Sequence, residues 1–184
     1  MDDSPLLTQN LARKSAAASR QVPPMVAIVG YSGSGKTTLV VKLIEEFCRR
    51  GVQVGTLKHD VHGFEMDRPG KDTWRHKKAG AAVTIISSPR QIGMVRDVDH
   101  DHQPRELAAL YSGLDLVLVE GFKRAAQPKI EIYRTATGKA PACRDDPDLV
   151  ALVSDALLDW GVPRFDLEDI AGLADFISKR FLLV

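Results

Sequence analysis

Nine residues constrain this chain more than any others: Gly30-Tyr31-Ser32-Gly33-Ser34-Gly35-Lys36-Thr37-Thr38. They follow a short apolar run, Met25 to Val29, and precede Leu39-Val40-Val41-Lys42-Leu43-Ile44, whose apolar spacing is helical. Gly30-x4-Gly35-Lys36-Thr37 is therefore a glycine-rich turn between a strand and a helix, the pattern of a phosphate-binding loop. Gly30, Gly33 and Gly35 let the backbone fold tightly and approach phosphate oxygens. Successive N–H groups, including those of Ser32 and Ser34, make a nest for an anion, and the helix N-terminus adds its dipole. In such a loop Lys36 reaches the β- and γ-phosphates, and the Thr37 hydroxyl ligates Mg²⁺ with Thr38 beside it.

The rest of the chain alternates strand and helix. Strands are predicted at 25–29, 52–57, 82–86, 114–119 and 149–153, with a short one at 91–95. Lys129 to Tyr133 alternates in polarity and reads as an edge or antiparallel strand. Helices are predicted from about Lys36 to Arg50, Asp72 to Ala79, Pro104 to Tyr111, and Asp166 to Phe181 with Asp166 as N-cap. This alternation predicts an α/β, P-loop NTPase-like three-layer fold on a mainly parallel, partly mixed sheet. Ligands then bind beyond the carboxyl ends of the strands. Residues 1–24, rich in Ala, Ser, Gln and Arg and closed by Pro23-Pro24, read as an arm outside a domain spanning 25–184.

A Mg²⁺ site needs a carboxylate at the end of a neighbouring strand. In Asp115-Leu116-Val117-Leu118-Val119-Glu120, Glu120 is at that end, and Asp115 lies about 16 Å away at the other. Lys58, ending the second strand, is either a phosphate contact or an exposed lysine after a strand. Asp155, just past Leu149-Val150-Ala151-Leu152-Val153-Ser154, either accepts from guanine N1–H and N2–H or caps a turn. His59 to Asp67 holds two histidines and three acids, but their spacing matches no strong zinc template and reads as a polar loop near the metal. Asp97 to His102 reads as a solvated loop. Lys71, Arg75 and Lys78 share one helical face, which either binds an acidic or phosphorylated ligand or is simply solvated.

The chain has 184 residues and a formal net charge of +1. That balance predicts neither a nucleic-acid footprint nor attraction to an anionic membrane. No apolar run approaches the roughly 20 residues of a membrane span, and the N-terminus lacks a secretory pattern. Cys48 and Cys143 form no CxxC pair; Cys48, within a helix, reads as a buried inert thiol. A cytoplasmic location follows as an expectation.

The stretches GYSGSGKTT, LKHDVHGFEMDRPGKDTWRHKKAGAAVTI, LDLVLVEGFK, ALVSD and FDLEDIAGLADFI together resemble the molybdopterin-guanine dinucleotide biosynthesis protein B (MobB) family from about Met25 onward. The resemblance implies a homodimeric GTP-binding accessory protein with weak GTPase activity. It would act beside a MobA-type guanylyltransferase that attaches GMP to the molybdopterin cofactor. By matching position it implies Gly33, Gly35, Lys36, Thr37 and Thr38 as phosphate residues, with Glu120 near Mg²⁺. A second reading is a P-loop small-molecule kinase or ATP-dependent ligase, with Arg134 and Arg144 in a lid formed by 128–147. A signalling GTPase fits poorly, because Asn-Lys-x-Asp is missing from the sequence. Slow hydrolysis is expected, since no glutamine is evidently placed to orient water and no arginine finger is apparent in the chain.

Overall fold

The computed structural model describes residues 22–182, so the arm expected at 1–24 lies almost wholly outside the described residues. The chain divides into two units: residues 60–102 form one, and the described residues before and after them form the other.

The larger unit is built on a six-stranded sheet. Its strands are β1 (Met25–Val29), β2 (Val54–Lys58), β5 (Leu116–Glu120), β6 (Lys129–Tyr133), β7 (Leu149–Ser154) and β8 (Arg164–Phe165), in spatial order β2-β5-β1-β6-β7-β8. Every pairing in it is parallel. The expected mainly parallel α/β architecture is therefore found. Lys129–Tyr133 is neither edge nor antiparallel: it runs parallel between β1 and β7. It also excludes a lid spanning all of 128–147, because the first part of that stretch is central sheet.

The reason lies in its two charged residues. Lys129 is 2% exposed and Glu131 1%, yet both are satisfied. The Lys129 ammonium pairs with Asp146 at 2.8 Å and lies 3.6 Å from Asp148. The Glu131 carboxylate accepts from the backbone N–H groups of Ala142 at 2.6 Å and Cys143 at 2.8 Å. A polar alternation that reads as half-exposed is in fact a buried strand whose charges are met by the following loop. The same setting pushes the Cys143 thiol up to about 11, chiefly by burial and then by the charges of Glu131 and Asp146.

One face of this sheet carries α1 (Lys36–Arg49) and α4 (Ile170–Phe181). Leu39, Leu43 and Phe47 of α1 pack with Leu173 and Ile177 of α4 against Ile28, Leu118 and Ile130. Arg50, the residue capping α1, bonds Asp175 of α4 at 2.5 Å and the Ala171 carbonyl at 3.2 Å. The other face is covered by loops, with Phe122, Ala125 and Cys143 closing over Ala27, Val29, Val117 and Val119. Cys48 is exposed, not buried as its helix suggested, because the apolar stripe of α1 runs through Leu43 and Phe47 and leaves position 48 outside it. The last helix starts later than expected: Asp169, not Asp166, is its N-cap and accepts from the Gly172 N–H at 3.0 Å. Asp166 is engaged by Arg164 at 2.7 Å instead. The expected helix at 104–111 is α3 (Pro104–Leu107) followed by a 3₁₀ turn, Ala108–Tyr111.

The smaller unit contains α2 (Asp72–Lys78) and an antiparallel ribbon of β3 (Val83–Ser87) and β4 (Ile92–Arg96). Lys77 joins it internally, bonding the Ala81 carbonyl at 2.8 Å and pairing with Asp97. Ile85 sits opposite Met94 in the ribbon, and Ser87 opposite Ile92. That register sets Val83, Ile85, Ile92 and Met94 on one face, and all four are exposed.

Candidate functional site

Parallel pairing brings three strand ends to one edge of the larger sheet. Ile28 is in register with Glu120, and Glu120 with Lys58. The glycine-rich turn leaves β1 at that edge and enters α1. Gly30, Gly33 and Gly35 all have positive φ, at 145°, 80° and 99°. Gly35 is the left-handed residue that starts α1, and the first turn of that helix carries no acid. The positive end of the helix dipole therefore faces the loop uncompensated.

The Lys36 ammonium folds back over the loop, donating to the carbonyls of Gly30 at 3.0 Å and Tyr31 at 2.9 Å. Its pKa lies below the ordinary lysine value: burial is the main cause, Glu120 opposes it, and Lys58 and Lys123 reinforce it. Three cations gather here around one carboxylate. Such a concentration of positive charge favours an anion.

Thr37 and Glu120, far apart in sequence, meet directly: the Thr37 hydroxyl donates to Glu120 Oε1 at 2.8 Å. Lys58 Nζ lies 3.6 Å from the same oxygen. Asp115, at the opposite end of β5, caps the chain entering β2 by accepting from the Gln53 N–H at 2.7 Å. Ser34 is buried, and its hydroxyl has no hydrogen-bond partner among the described residues. The Ser34 carbonyl accepts from Arg134 Nε at 3.1 Å. Arg134, at the end of β6, thus holds the backbone of the loop. Asp155 spends both carboxylate oxygens on Thr135, taking its N–H at 2.9 Å and its hydroxyl at 3.2 Å. In this structure Asp155 acts as a turn cap.

The other charged stretches are less concentrated. Among the described residues, His59, His62 and the acids up to Asp67 do not gather three ligand atoms for a metal. The His59 ring stacks on Phe122 at 4.3 Å, and Asp60 accepts from the His62 N–H at 2.9 Å. In the smaller unit Lys71, Arg75 and Lys78 are exposed, and the Lys78 ammonium lies 5.5 Å from the centre of the Trp74 ring. Sequence reasoning also passed over Lys123 and Lys139. Both lie against the Tyr31 ring, at 4.7 and 5.0 Å. No periodicity or motif spacing signals such a meeting, because each lysine comes from a separate loop.

The chain matches the family model for molybdopterin guanine dinucleotide synthesis protein B over residues 25–155. It is 39% identical over 168 residues to the molybdopterin-guanine dinucleotide biosynthesis adapter protein of Escherichia coli K12, covering 88% of this chain and 95% of that one. It is 36% identical over 158 residues to the protein of the same name from Haemophilus influenzae, covering 85% and 88%. Among solved structures, Bacillus subtilis MobB superposes with a TM-score of 0.69 at 29% identity, over 86% of this chain and 98% of that one. With a glycine-rich turn at the carboxyl edge of a parallel sheet, and with matches over most of both chains, the chain belongs to the MobB family of molybdopterin guanine dinucleotide biosynthesis adapter proteins.

Proposed function

We propose that this chain binds GTP·Mg²⁺ at the loop Gly30 to Thr38 and serves as an adapter to a MobA-type guanylyltransferase that builds the guanine dinucleotide form of the molybdopterin cofactor. The observation that carries the reading is the meeting of Thr37 with Glu120 at 2.8 Å, beside the Lys36 ammonium. A hydroxyl and a carboxylate are hard oxygen donors of the kind Mg²⁺ takes, so Thr37 and Glu120 would hold the ion, and Lys36 suits the phosphates of a bound nucleotide. Gly30, Ser32, Gly33, Ser34 and Gly35 form the phosphate cradle, with Thr38 in the first turn of the helix. Lys58 lies 3.6 Å from Glu120 in the structure and would be free to meet the phosphates if that carboxylate held the ion. The adapter works in the cytoplasm, and the molybdopterin cofactor is the cargo or product of its partner. Intrinsic hydrolysis is slow: Arg134, which reaches the loop backbone, is engaged by the Ser34 carbonyl. For the base, Asp155 serves guanine only by giving up at least one of its bonds to Thr135. The protein acts as a homodimer, and the exposed apolar face of the β3–β4 ribbon supports a second copy as its cover.

Calorimetric titration with GTP and with ATP, each with and without Mg²⁺, tests the reading. A GTP preference of tenfold or more, about 1.4 kcal/mol, is expected. Lys36→Ala abolishes binding, and Glu120→Ala weakens binding with Mg²⁺ far more than without it. Wild-type behaviour of Glu120→Ala in both conditions overturns the metal assignment. An ATP preference overturns the guanine assignment in favour of a kinase or ligase. Among the described residues no helix is long and apolar enough to cross a membrane.

A further inference from the structure

Strand β6 runs on past the end of β1. Val29, the last residue of β1, is in register with Glu131, so Ile132, Tyr133 and Arg134 continue beside the glycine-rich turn. Two of them touch it. A Cβ built on Gly30 would meet the Ile132 carbonyl, and one built on Gly35 would lie 3.4 Å from Arg134 Nε and Nη2. The Arg134 Nε–H donates to the Ser34 carbonyl at 3.1 Å. The peptide between Ser34 and Gly35 is trans, like every peptide bond among the described residues. In a planar trans peptide the C=O and the N–H point in opposite directions. A guanidinium that fixes the Ser34 carbonyl therefore also fixes the Gly35 N–H, turned away from Arg134. That N–H stands at the start of α1, where the helix dipole reinforces its pull on an anion. Glycine takes positive and negative φ about equally readily, so a peptide ending in Gly35 turns over at little steric cost unless it is held.

Arg134 is itself anchored. Its carbonyl accepts twice from Thr137, from the N–H at 3.0 Å and from the hydroxyl at 2.8 Å. The next residue, Thr135, gives its N–H to one oxygen of Asp155 at 2.9 Å and its hydroxyl to the other at 3.2 Å. Tyr133 is in register with Ser154, so Arg134 and Asp155 leave neighbouring parallel strands side by side. These four hydrogen bonds close the 3₁₀ turn Thr135–Thr137 behind Arg134. The two to Asp155 go to an ionised group, and such bonds are the stronger kind. A continuous chain of contacts results: Asp155, Thr135, Arg134, Ser34, Gly35. Every link in it is a hydrogen bond or a peptide bond.

We propose that Arg134 is a positioning residue that locks the Ser34–Gly35 peptide with its N–H toward the anion, and that Asp155 sets Arg134 through Thr135. An acid at the end of β7 thereby controls the grip of the loop on phosphate. The inference rests on the reading of Gly30 to Thr38 as a phosphate site, and it gives Asp155 a role that needs no base. It also couples two parts of a nucleotide. Asp155 cannot keep both oxygens on Thr135 and accept from guanine as well, so a base that takes the carboxylate slackens the turn behind Arg134.

Mg²⁺·tripolyphosphate, a phosphate chain with no base, is the probe, titrated into the full chain by calorimetry. Arg134→Met is expected to weaken binding about tenfold or more, the loss of one charge-assisted hydrogen bond. Arg134→Lys keeps a donor for the Ser34 carbonyl and is expected to restore affinity to within about threefold of wild type. Asp155→Ala is expected to weaken binding about fivefold or more, although the probe offers that carboxylate nothing to read. Wild-type affinity in Arg134→Met overturns the proposal. So does an Asp155→Ala variant that loses affinity for GTP but not for tripolyphosphate, since the carboxylate then serves the base. A second arm uses the protein without any ligand. In proton–nitrogen correlation spectra the Gly35 amide is expected to give one sharp resonance in wild type, and a broadened or split one in Arg134→Met and Asp155→Ala alike. A Gly35 resonance unmoved in either variant overturns the positioning role and leaves Arg134 as a direct phosphate contact at most. Unchanged amide signals of the buried Leu118 and Leu173 check that the fold is intact. Failure of the wild type to bind tripolyphosphate sinks the phosphate reading of the loop, while the ligand-free spectra still decide whether Arg134 and Asp155 hold Gly35.

Discussion

Gly30 has no room for a side chain. A Cβ built there would lie 2.5 Å from the Ile132 carbonyl oxygen and 2.7 Å from the Ser34 hydroxyl. Its φ of 145° is also one that L side chains rarely adopt. The Ile132 oxygen belongs to β6, the strand beside β1, so it cannot move without disturbing the sheet. Gly33 differs: nothing lies within 4 Å of its would-be Cβ, and only its φ of 80° resists substitution. Gly30→Ala is expected to cost about 1–3 kcal/mol from overpacking on top of its backbone strain. Gly33→Ala costs about 1 kcal/mol, from strain alone. Thermal unfolding of the two variants checks the order, and equal losses would mean that the contact with β6 carries no weight. At this scale the sequence was largely legible. The glycine positions announce a tight turn between strand and helix, with Lys36 at the helix start, because that geometry is local. Glu120 was legible too, since a strand-ending acid in a parallel sheet has only one edge to reach. Asp155 was less so, because its position past a strand says nothing of Thr135, the neighbour that occupies it.

Among the elements, α1 shows how local signals and tertiary contacts combine at a helix end. Glu46 accepts from Arg49 at 2.7 and 3.0 Å and from Arg50 Nε at 2.7 Å, while Arg50 reaches across to α4. The hydrogen bonds from Arg49 and then Arg50 hold the Glu46 carboxyl down at about 2, against an ordinary 4.5. A carboxyl whose pKa is depressed in the folded state stabilises fully above its unfolded value, and the benefit is lost as pH falls through the folded one. The stability difference between wild type and Glu46→Gln is therefore expected to be constant above pH 4.5 and to shrink toward pH 2. Urea midpoints at a series of pH values measure it, and a difference that grows on acidification would refute the assignment. Helix α1 itself was readable from Leu39, Leu43 and Phe47 at helical spacing, and from Gly51 beyond its end. Strand β6 was not. Its Lys129 and Glu131 look like solvent-facing residues until the loop bearing Asp146, Ala142 and Cys143 is folded over them. That information sits more than ten residues away, where no local pattern carries it. The start of α4 shifted for a related reason: Arg164 takes Asp166, and Asp169 caps the helix instead.

For the molecule as a whole, the smaller unit carries the clearest sign of association. A two-stranded ribbon is marginal by itself in water and needs cover on at least one face. Here Val83, Ile85, Ile92 and Met94 line one face, with Ile92 76% exposed and Ile85 58%. If this face joins two copies as proposed, Ile92→Glu shifts the assembly toward monomer, read by light scattering on a sizing column. Its far-ultraviolet circular dichroism is expected to match wild type. A variant that stays dimeric would exclude this face as the contact. The sequence showed the ribbon's strands but not this consequence, because exposure depends on what fails to pack over a residue. The parallel sheet has a consequence of its own, for the chain as it is made. Strand β1, which launches the glycine-rich loop, has β5 and β6 as its hydrogen-bonded neighbours, with Met25 against Val117 and Val29 against Glu131. A growing chain leaving the ribosome thus holds every residue of the loop long before it holds either strand that gives the loop its shape. For most of its synthesis the chain lacks the two strands that flank the loop, so the nucleotide site proposed here is complete only late, once Tyr133 has emerged.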